Sequence, residues 1–243
     1  LEQLILKHGA HKDTQNIKET HEGLDFFFSA RNSAEKFVDF LTSVAPVRVK
    51  KSQELISTDV HTSTKSYKFS FSVEIVPLCK DDLICLPVKM AKQLGGISPL
   101  TLCYRVGTSV NLLDPATLQT ADISPKEFWH TPFAPLADVQ QLVEFIVLDI
   151  EPVGQEKGRF CLAEATVARA SDMGANDTTY VTYTHLGGVL HPGDSVMGYH
   201  LTGTNFNNPQ FEAIQEHRNY RDGIPDVVLV KKFYARKKKN KNR

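Results

Sequence analysis

The side chains in this sequence with the most evident chemistry are cations. Arg48, Lys50 and Lys51 follow Pro46 in VRVKK (47–51), and Lys65 and Lys68 stand where a second extended stretch begins. On a strand arm the two sets could face each other and contact phosphate oxygens; on a solvated surface they would do nothing specific, and spacing alone leaves both readings open. A denser run ends the chain. KKFYARKKKNKNR (231–243) holds eight Lys or Arg and no acid. Lys231 and Lys232 leave an apolar stretch directly, and Arg236, Lys237, Lys238 and Lys239 follow without amphipathic-helix spacing. This segment reads as a localisation signal, an RNA-contacting tail or a solubilising tail.

Catalytic and metal chemistry finds little support. There is no GxSxG elbow, no GxxxxGK[ST] loop and no GxGxxG, so neither an activated serine nor a phosphate-cradling loop has its usual backbone. Cys79, Cys85, Cys103 and Cys161 form no CxxC pair. They read as four small buried hydrophobes in a reducing compartment, not as a zinc site or a disulfide framework. Asp81 and Asp82 are adjacent, so in a strand they would point to opposite faces; a solvated turn is expected. His185 and His191 lack ligand spacing, and Asp172, Asn176 and Asp177 lack the EF-hand pattern and read as turn residues. Trp129, the only tryptophan, is expected in a core or at a domain joint. The chain is expected not to be an enzyme, with no catalytic residue, metal site or cofactor within it.

The elements that would position the cations come next. Outside the last thirteen residues, 20 basic side chains face 28 acidic ones: a basic arm on an acidic body, not a uniformly basic nucleic-acid binder. No apolar run approaches the roughly 20 residues that span a bilayer, no signal peptide is visible, and the opening Leu1 reads as the start of a fragment or a processed chain. Residues 1–22 read as a polar tether in which Leu4, Ile5 and Leu6 anchor one helical turn. Residues 23–78 read as a small α+β unit. It has a strand at LDFFFS (24–29), a helix opened by an Asn32–Glu35 capping box with Phe37, Phe40, Leu41 and Val44 on one face, and a half-buried strand in which Tyr67, Phe69, Phe71, Val73 and Ile75 alternate with polar residues. Residues 79–135 carry short strands, a short helix between Pro87 and Gly95, an Asp114-Pro115 turn and a full capping box at Ser124–Glu127, which suggests a small SH3-like barrel. Past a Pro-rich joint (131–136), residues 140–234 supply five strands for an OB-like barrel. Its first strand is VEFIVLDIEPV (143–153), apolar on both faces, hence central and buried, and stopped by Pro152. The long connection 203–225 should carry a short helix at FEAIQEHRN (211–219), and 235–243 is a basic tail. The fold class is α+β, mostly β.

These motifs in order carry a resemblance. GLDFFFSARNSAEKFVDFL (23–41), KDDLICLP (80–87), LLDPATLQTADIS (112–124), VEFIVLDIEPV, ARASDMGANDTTY (168–180), THLGGVLHPGDSVMGY (184–199) and PDVVLVKK (225–232) together resemble the nuclear export adaptor family of the large (60S) ribosomal subunit, first named for nonsense-mediated decay. The match covers nearly the whole chain. It implies a domain similar to a large-subunit ribosomal protein of the twenty-two type, followed by SH3-like and OB-like barrels similar to the hypusine-bearing translation factor of the tRNA exit site. It further implies docking on the intersubunit face and tRNA sites of the pre-ribosomal large subunit, with ribosomal RNA and ribosomal proteins as partners. The cations named above, Arg48, Lys50, Lys51, Lys65, Lys68, Lys231, Lys232 and Arg236–Lys239, would be the RNA contacts. An exportin that reads leucine-rich signals would be recruited through a tail after Arg243, a GTPase would assist cytoplasmic release, and zinc would belong to a region before Leu1. The protein would shuttle between nucleus and cytoplasm and touch no membrane. The competing reading is a translation-factor-like protein at the exit site of mature ribosomes.

Overall fold

The computed structural model describes residues 1–59, 61–174, 176, 178–216 and 223–234. They form two compact units: 1–77 with 106–110 and 123–132, and 78–105 with 111–122 and the residues from 133 on.

The first unit begins with structure where a tether was expected. Helix α1 (Glu2–His8) closes on Gly9, whose φ of 64° lets its N–H reach the carbonyls of Ile5 and Leu6. Strand β1 (Thr14–Thr20) then pairs antiparallel with β2 (Gly23–Phe28). Its sequence hides it because the ribbon is exposed, so TQNIKET has no apolar alternation to display. Helix α2 (Arg31–Val44) is present, but not with the expected cap. It starts at Arg31 after Ala30, which leaves Asn32 inside the helix, while Glu35 accepts a hydrogen bond from Arg31 at 3.0 Å. The helix buries Phe37, Val38 and Leu41. Phe37 meets Phe26 and Phe28 of β2 at ring distances of 4.7 and 5.5 Å, and Phe40 lies against His8. Ala45 is extended (φ −139°, ψ 152°), as the residue before a proline must be, and Pro46 leads into the long ribbon of β3 (Val47–Asp59) and β4 (Thr64–Ile75).

In the second unit, β5 (Leu83–Cys85), β6 (Leu100–Val106), β7 (Val110–Leu113) and β8 (Thr120–Ile123) form a four-stranded sheet in that order, with α3 (Val88–Gln93) between β5 and β6. The Asp114-Pro115 turn is held by its own carboxylate, which accepts from the Ala116 N–H (2.9 Å) and the Thr117 hydroxyl (2.6 Å). Helix α4 (Pro125–His130), in the first unit, has the full capping box between Ser124 and Glu127. The Pro-rich joint is pinned: Leu83 exchanges backbone hydrogen bonds with Leu136 and Ala137.

Five further strands follow: β9 (Val143–Lys157), β10 (Phe160–Arg169), β11 (Thr179–Thr184), β12 (Ser195–His200) and β13 (Val227–Lys232), with helix α5 (Pro209–Glu216) before the last. Residues 217–219 of the expected helix lie outside the described residues. The sheet order is β11-β10-β9-β12-β13. The Thr182 hydroxyl donates to the Val227 carbonyl at 2.7 Å, tying the two edge strands together. β9 is central, paired on both sides, but two expectations about it fail. Only one face is buried: Phe145 and Val147 lie inside, whereas Leu148 is 41% exposed, and the bulge it forms between the Val147–Val167 and Asp149–Thr166 pairs turns Ile150 onto the inner core. Nor does Pro152 end the strand. It faces Ala163 next to a second register shift, where a missing N–H is tolerated.

Two cores serve this unit. One gathers Phe145, Val147, Val167, Val196, Val227 and Leu229 inside the five-stranded sheet. The other joins Leu83, Leu102, Tyr199, Phe211, Ile214 and Val228, so β5, β6, β12, β13 and α5 share one apolar interior. Gly198 leaves no room for a side chain; a Cβ there would meet the Val228 carbonyl at 2.8 Å. Asp81 and Asp82 are not a solvated turn. Asp82 is buried and accepts the Cys79 N–H at 2.7 Å, and burial raises its carboxyl above the usual range. Asp81, at φ 75°, accepts Lys231 through its carboxylate (2.9 Å) and the Tyr199 hydroxyl through its carbonyl (2.9 Å). Of the cysteines only Cys85 and Cys103 are buried, and burial pushes both thiols up to about 12; Cys79 is exposed and Cys161 half-buried.

Candidate nucleic-acid interface

The β3–β4 ribbon carries most of the described cations proposed for phosphate contact, and its register sorts them. Arg48, Lys50 and Glu54 share a face with their partners Glu74, Ser72 and Lys68; Val49, Lys51 and Leu55 share the other with Val73, Phe71 and Tyr67. The expected facing of Lys50 and Lys51 with Lys65 and Lys68 does not occur. Lys68 stands across from Glu54 and Lys65 across from Thr58, about 10 Å or more along the strand from Lys51. A register is set by the turn and by which side chains must be buried, and neither can be read from the spacing of lysines.

Arg48 and Lys50 are already engaged. Both bind the Glu74 carboxylate, Lys50 at 2.8 Å. The hydrogen bonds from Lys50, then from Arg48, hold the Glu74 carboxyl below the usual carboxylate range. The Arg48 guanidinium also lies 4.0 Å from the Trp129 ring centroid, so Trp129 is the platform of an intramolecular cation–π contact. On the opposite face Lys51 stands 5.6 Å from the Phe71 ring. Toward the tip the ribbon is exposed on both faces, with Leu55, Ile56 and Tyr67 in solvent beside Lys65 and Lys68. Among the described residues, Lys51, Lys65 and Lys68 have no carboxylate within ion-pair distance.

The two lysines at the end of β13 are also paired. Lys231 binds Asp81 at 2.9 Å, and Lys232 binds Asp194 at 2.6 Å and the Val189 carbonyl at 3.3 Å. Lys232, followed by the His191 N–H, lowers the Asp194 carboxyl below its ordinary value. Arg236, Lys237, Lys238 and Lys239 lie outside the described residues. Sequence reasoning passed over two further cations, of which Arg31 is already held by Glu35 at 3.0 Å. Arg31 sits 4.4 Å over Phe69. Arg159, beside Gly158 in the β9–β10 turn, is 4.9 Å from Phe160 and 5.6 Å from Tyr104. The available signal was a basic residue next to a turn glycine.

His185 lies buried, edge-on to Phe160 at 5.4 Å, and burial first, then the Arg159 charge, lowers it to about 4; it is neutral at physiological pH. Among the described residues no three His, Cys, Asp or Glu side chains group as metal ligands, and no helix is long and apolar enough to cross a membrane.

Comparison with known proteins gives three consecutive family matches: the NMD3 second domain over 1–75, the NMD3 SH3 domain over 78–126 and the NMD3 OB-fold domain over 142–232. The fold class is therefore the expected one, mostly β with SH3-like and OB-like parts after a small α+β unit. The 60S ribosomal export protein NMD3 of Chaetomium thermophilum is 62% identical over 243 residues, 100% of this chain and 47% of that protein. The protein of the same name in Saccharomyces cerevisiae is 55% identical over 98% of this chain and 45% of its own length, and the one in Homo sapiens 44% over 100% and 49%. The chain spans about half the length of the curated relatives it matches.

Proposed function

The chain belongs to the NMD3 family, and on that premise we propose that it docks, without chemistry of its own, on the large (60S) ribosomal subunit during nuclear export. The carrying observation is the 62% identity across all 243 residues to a protein named for that export. In this proposal the docking covers the intersubunit face and the tRNA sites, and the contacts are local. The body outside the basic end has more acids than bases, so a broad RNA-binding surface is electrostatically unfavourable. Exposed Lys51, Lys65 and Lys68 on the ribbon are the described cations best able to approach phosphates, because a phosphate at Arg48 or Lys231 must compete with Glu74 or Asp81. The exportin, the release GTPase and a zinc-binding region belong to the same proposal as parts or partners outside these 243 residues, and shuttling between nucleus and cytoplasm follows from it.

The test is co-sedimentation of the chain with purified large subunits across a salt series. Replacing Lys51, Lys65 and Lys68 together by Glu is expected to lower the bound fraction, and each lost phosphate contact to reduce the salt slope by about one. Unchanged binding at matched salt removes the ribbon from the interface. A gradient profile separates the competing reading. An export protein follows free large subunits and their precursors, whereas a factor at the exit site of mature ribosomes follows translating particles.

A further inference from the structure

The mouth of the five-stranded sheet holds a cleft that the docking proposal does not use. It has a volume of about 400 Å³ and lies between the start of β9, the ends of β10 and β12 and the 202–206 segment, within the ~300–1,000 Å³ range of small-molecule sites. Its polar walls come from Gln141, Arg169 and His200, and Phe206 supplies an aromatic one. None of its lining residues is an Asp or Glu, in a chain whose body is acidic. Arg169 is the cross-strand partner of Phe145, which is fully buried. Cross-strand partners share a face, so this cation is directed to the inner side of the sheet. It has no carboxylate partner among the described residues. Its Nε and the Nε2 of His200 are both shut off from solvent without a hydrogen-bond partner among the described residues. The His200 ring is held edge-on to Tyr180 at 5.2 Å, and its carbonyl accepts from Thr204 at 2.8 Å.

Buried nitrogens left unpaired are costly, and the two side chains that carry them line one acid-free cleft, where a rotation of the imidazole or the guanidinium brings a donor to an anionic acceptor. A guanidinium fork and an imidazole on separate strands, with a nearby amide, suit a phosphate, whose oxygens point in several directions. The aromatic wall suits a base. We propose that this cleft binds a nucleotide, its phosphate between Arg169 and His200 and its base against Phe206. The ligand is a free mononucleotide or one unit of a single RNA strand; the recognising chemistry is the same. The inference does not depend on subunit docking, because it is tested with the chain alone and free ligands, so a failed docking experiment leaves it standing.

The chain, labelled with ¹⁵N, is titrated with adenosine monophosphate, with a short adenylate oligonucleotide, with inorganic phosphate and with a glutamate-rich peptide, following the Arg169 Nε–H and His200 ring resonances. Both nucleotide probes are expected to shift these signals, and inorganic phosphate to do so more weakly. Tighter binding of the oligonucleotide identifies a strand as the ligand; equal binding identifies the mononucleotide. Arg169→Gln is expected to weaken nucleotide binding by about tenfold or more, and Arg169→Lys to restore it only in part. Should Arg169→Gln unfold, the wild-type titration decides. The proposal is overturned if neither nucleotide moves the His200 ring, if shifts are confined to Lys51, Lys65 and Lys68, or if the acidic peptide binds as well as the nucleotides.

Discussion

Replacing His185 by Gln is expected to flatten the acid side of this protein's stability profile. His185 is 6% exposed, and its Nδ1 is buried with no hydrogen-bond partner among the described residues. Burial and the Arg159 charge lower it to about 4, against the weaker opposing pull of Asp81. An unfolded chain would protonate the same ring near pH 6.5. Between those two values the unfolded state binds a proton that the folded state refuses, so stability falls as the pH drops from about 6.5 and levels off below about 4. At about 1.4 kcal/mol per pH unit, the full loss is about 3 kcal/mol. Glutamine cannot take the charge. The assay is urea denaturation of both proteins at pH 7.5, 6.5, 5.5 and 4.5, which spans most of that window. Carboxylates titrate over part of the same range. Asp194, lowered by Lys232, loses its contribution as the pH falls, and Asp82, raised by burial, acts in the opposite sense. Both are common to the two proteins and cancel in the difference. The gap between variant and wild type should therefore move in favour of the variant by about 2–3 kcal/mol from pH 7.5 to pH 4.5. Parallel profiles would refute the argument and show that the ring is already charged, or already solvated, in the folded state.

Other substitutions test the packing. Tyr199→Phe removes the hydroxyl that donates to the Asp81 carbonyl and is expected to cost about 1 kcal/mol in a urea melt. Gly198→Ala places a methyl 2.8 Å from the Val228 carbonyl; because backbone must give way, a loss of about 1–3 kcal/mol is expected, read as a lowered melting temperature with β12–β13 amides losing exchange protection first. Phe145→Asp puts a charge at a fully buried position and is expected to unfold the five-stranded sheet, at about 4 kcal/mol or more. A folded, docking-competent Phe145→Asp protein would show that β9 is not central to this unit.

What the sequence displayed and what it hid follow from the range of the interactions involved. Ser124 and Glu127 formed their capping box because both partners lie within one turn and nothing distant competes. Asn32 and Glu35 have the same spacing, yet α2 begins two residues too early for it, and Arg31 takes Glu35 instead. The strand at Thr64–Ile75 was legible from alternation. The inward turn of Ile150 in β9 was not, since a bulge changes which residues point inward without changing the sequence pattern. β1 escaped notice because an exposed two-stranded ribbon needs no apolar face. The carboxylate pair at 81–82 looked like a surface turn because its partners, Lys231 and Tyr199, lie more than a hundred residues away. The cleft at Arg169 and His200 joins residues on different strands and has no local signature at all.

The same long-range pairing changes what a basic residue means here. By sequence, Lys231 and Lys232 belong to the basic run that ends the chain; by structure they are tied to Asp81 and Asp194, which come from two different turns. Lys232 and Asp194 are each mostly shielded, so breaking that pair strands a carboxylate against the fold, whereas the exposed Lys65 and Lys68 leave no such debt when they turn to a phosphate. Partly exposed ion pairs contribute little to stability, but they hold side chains in place, and a lysine held by a carboxylate offers an incoming phosphate less net charge than a solvated one. Arg48 is constrained further, lying over Trp129 while bound to Glu74. The cations nearest the folded core are thus spent on local order. Under the docking proposal, RNA contacts therefore fall outward along the ribbon, on residues whose positions are fixed by β-pairing and whose charges have no carboxylate partner among the described residues.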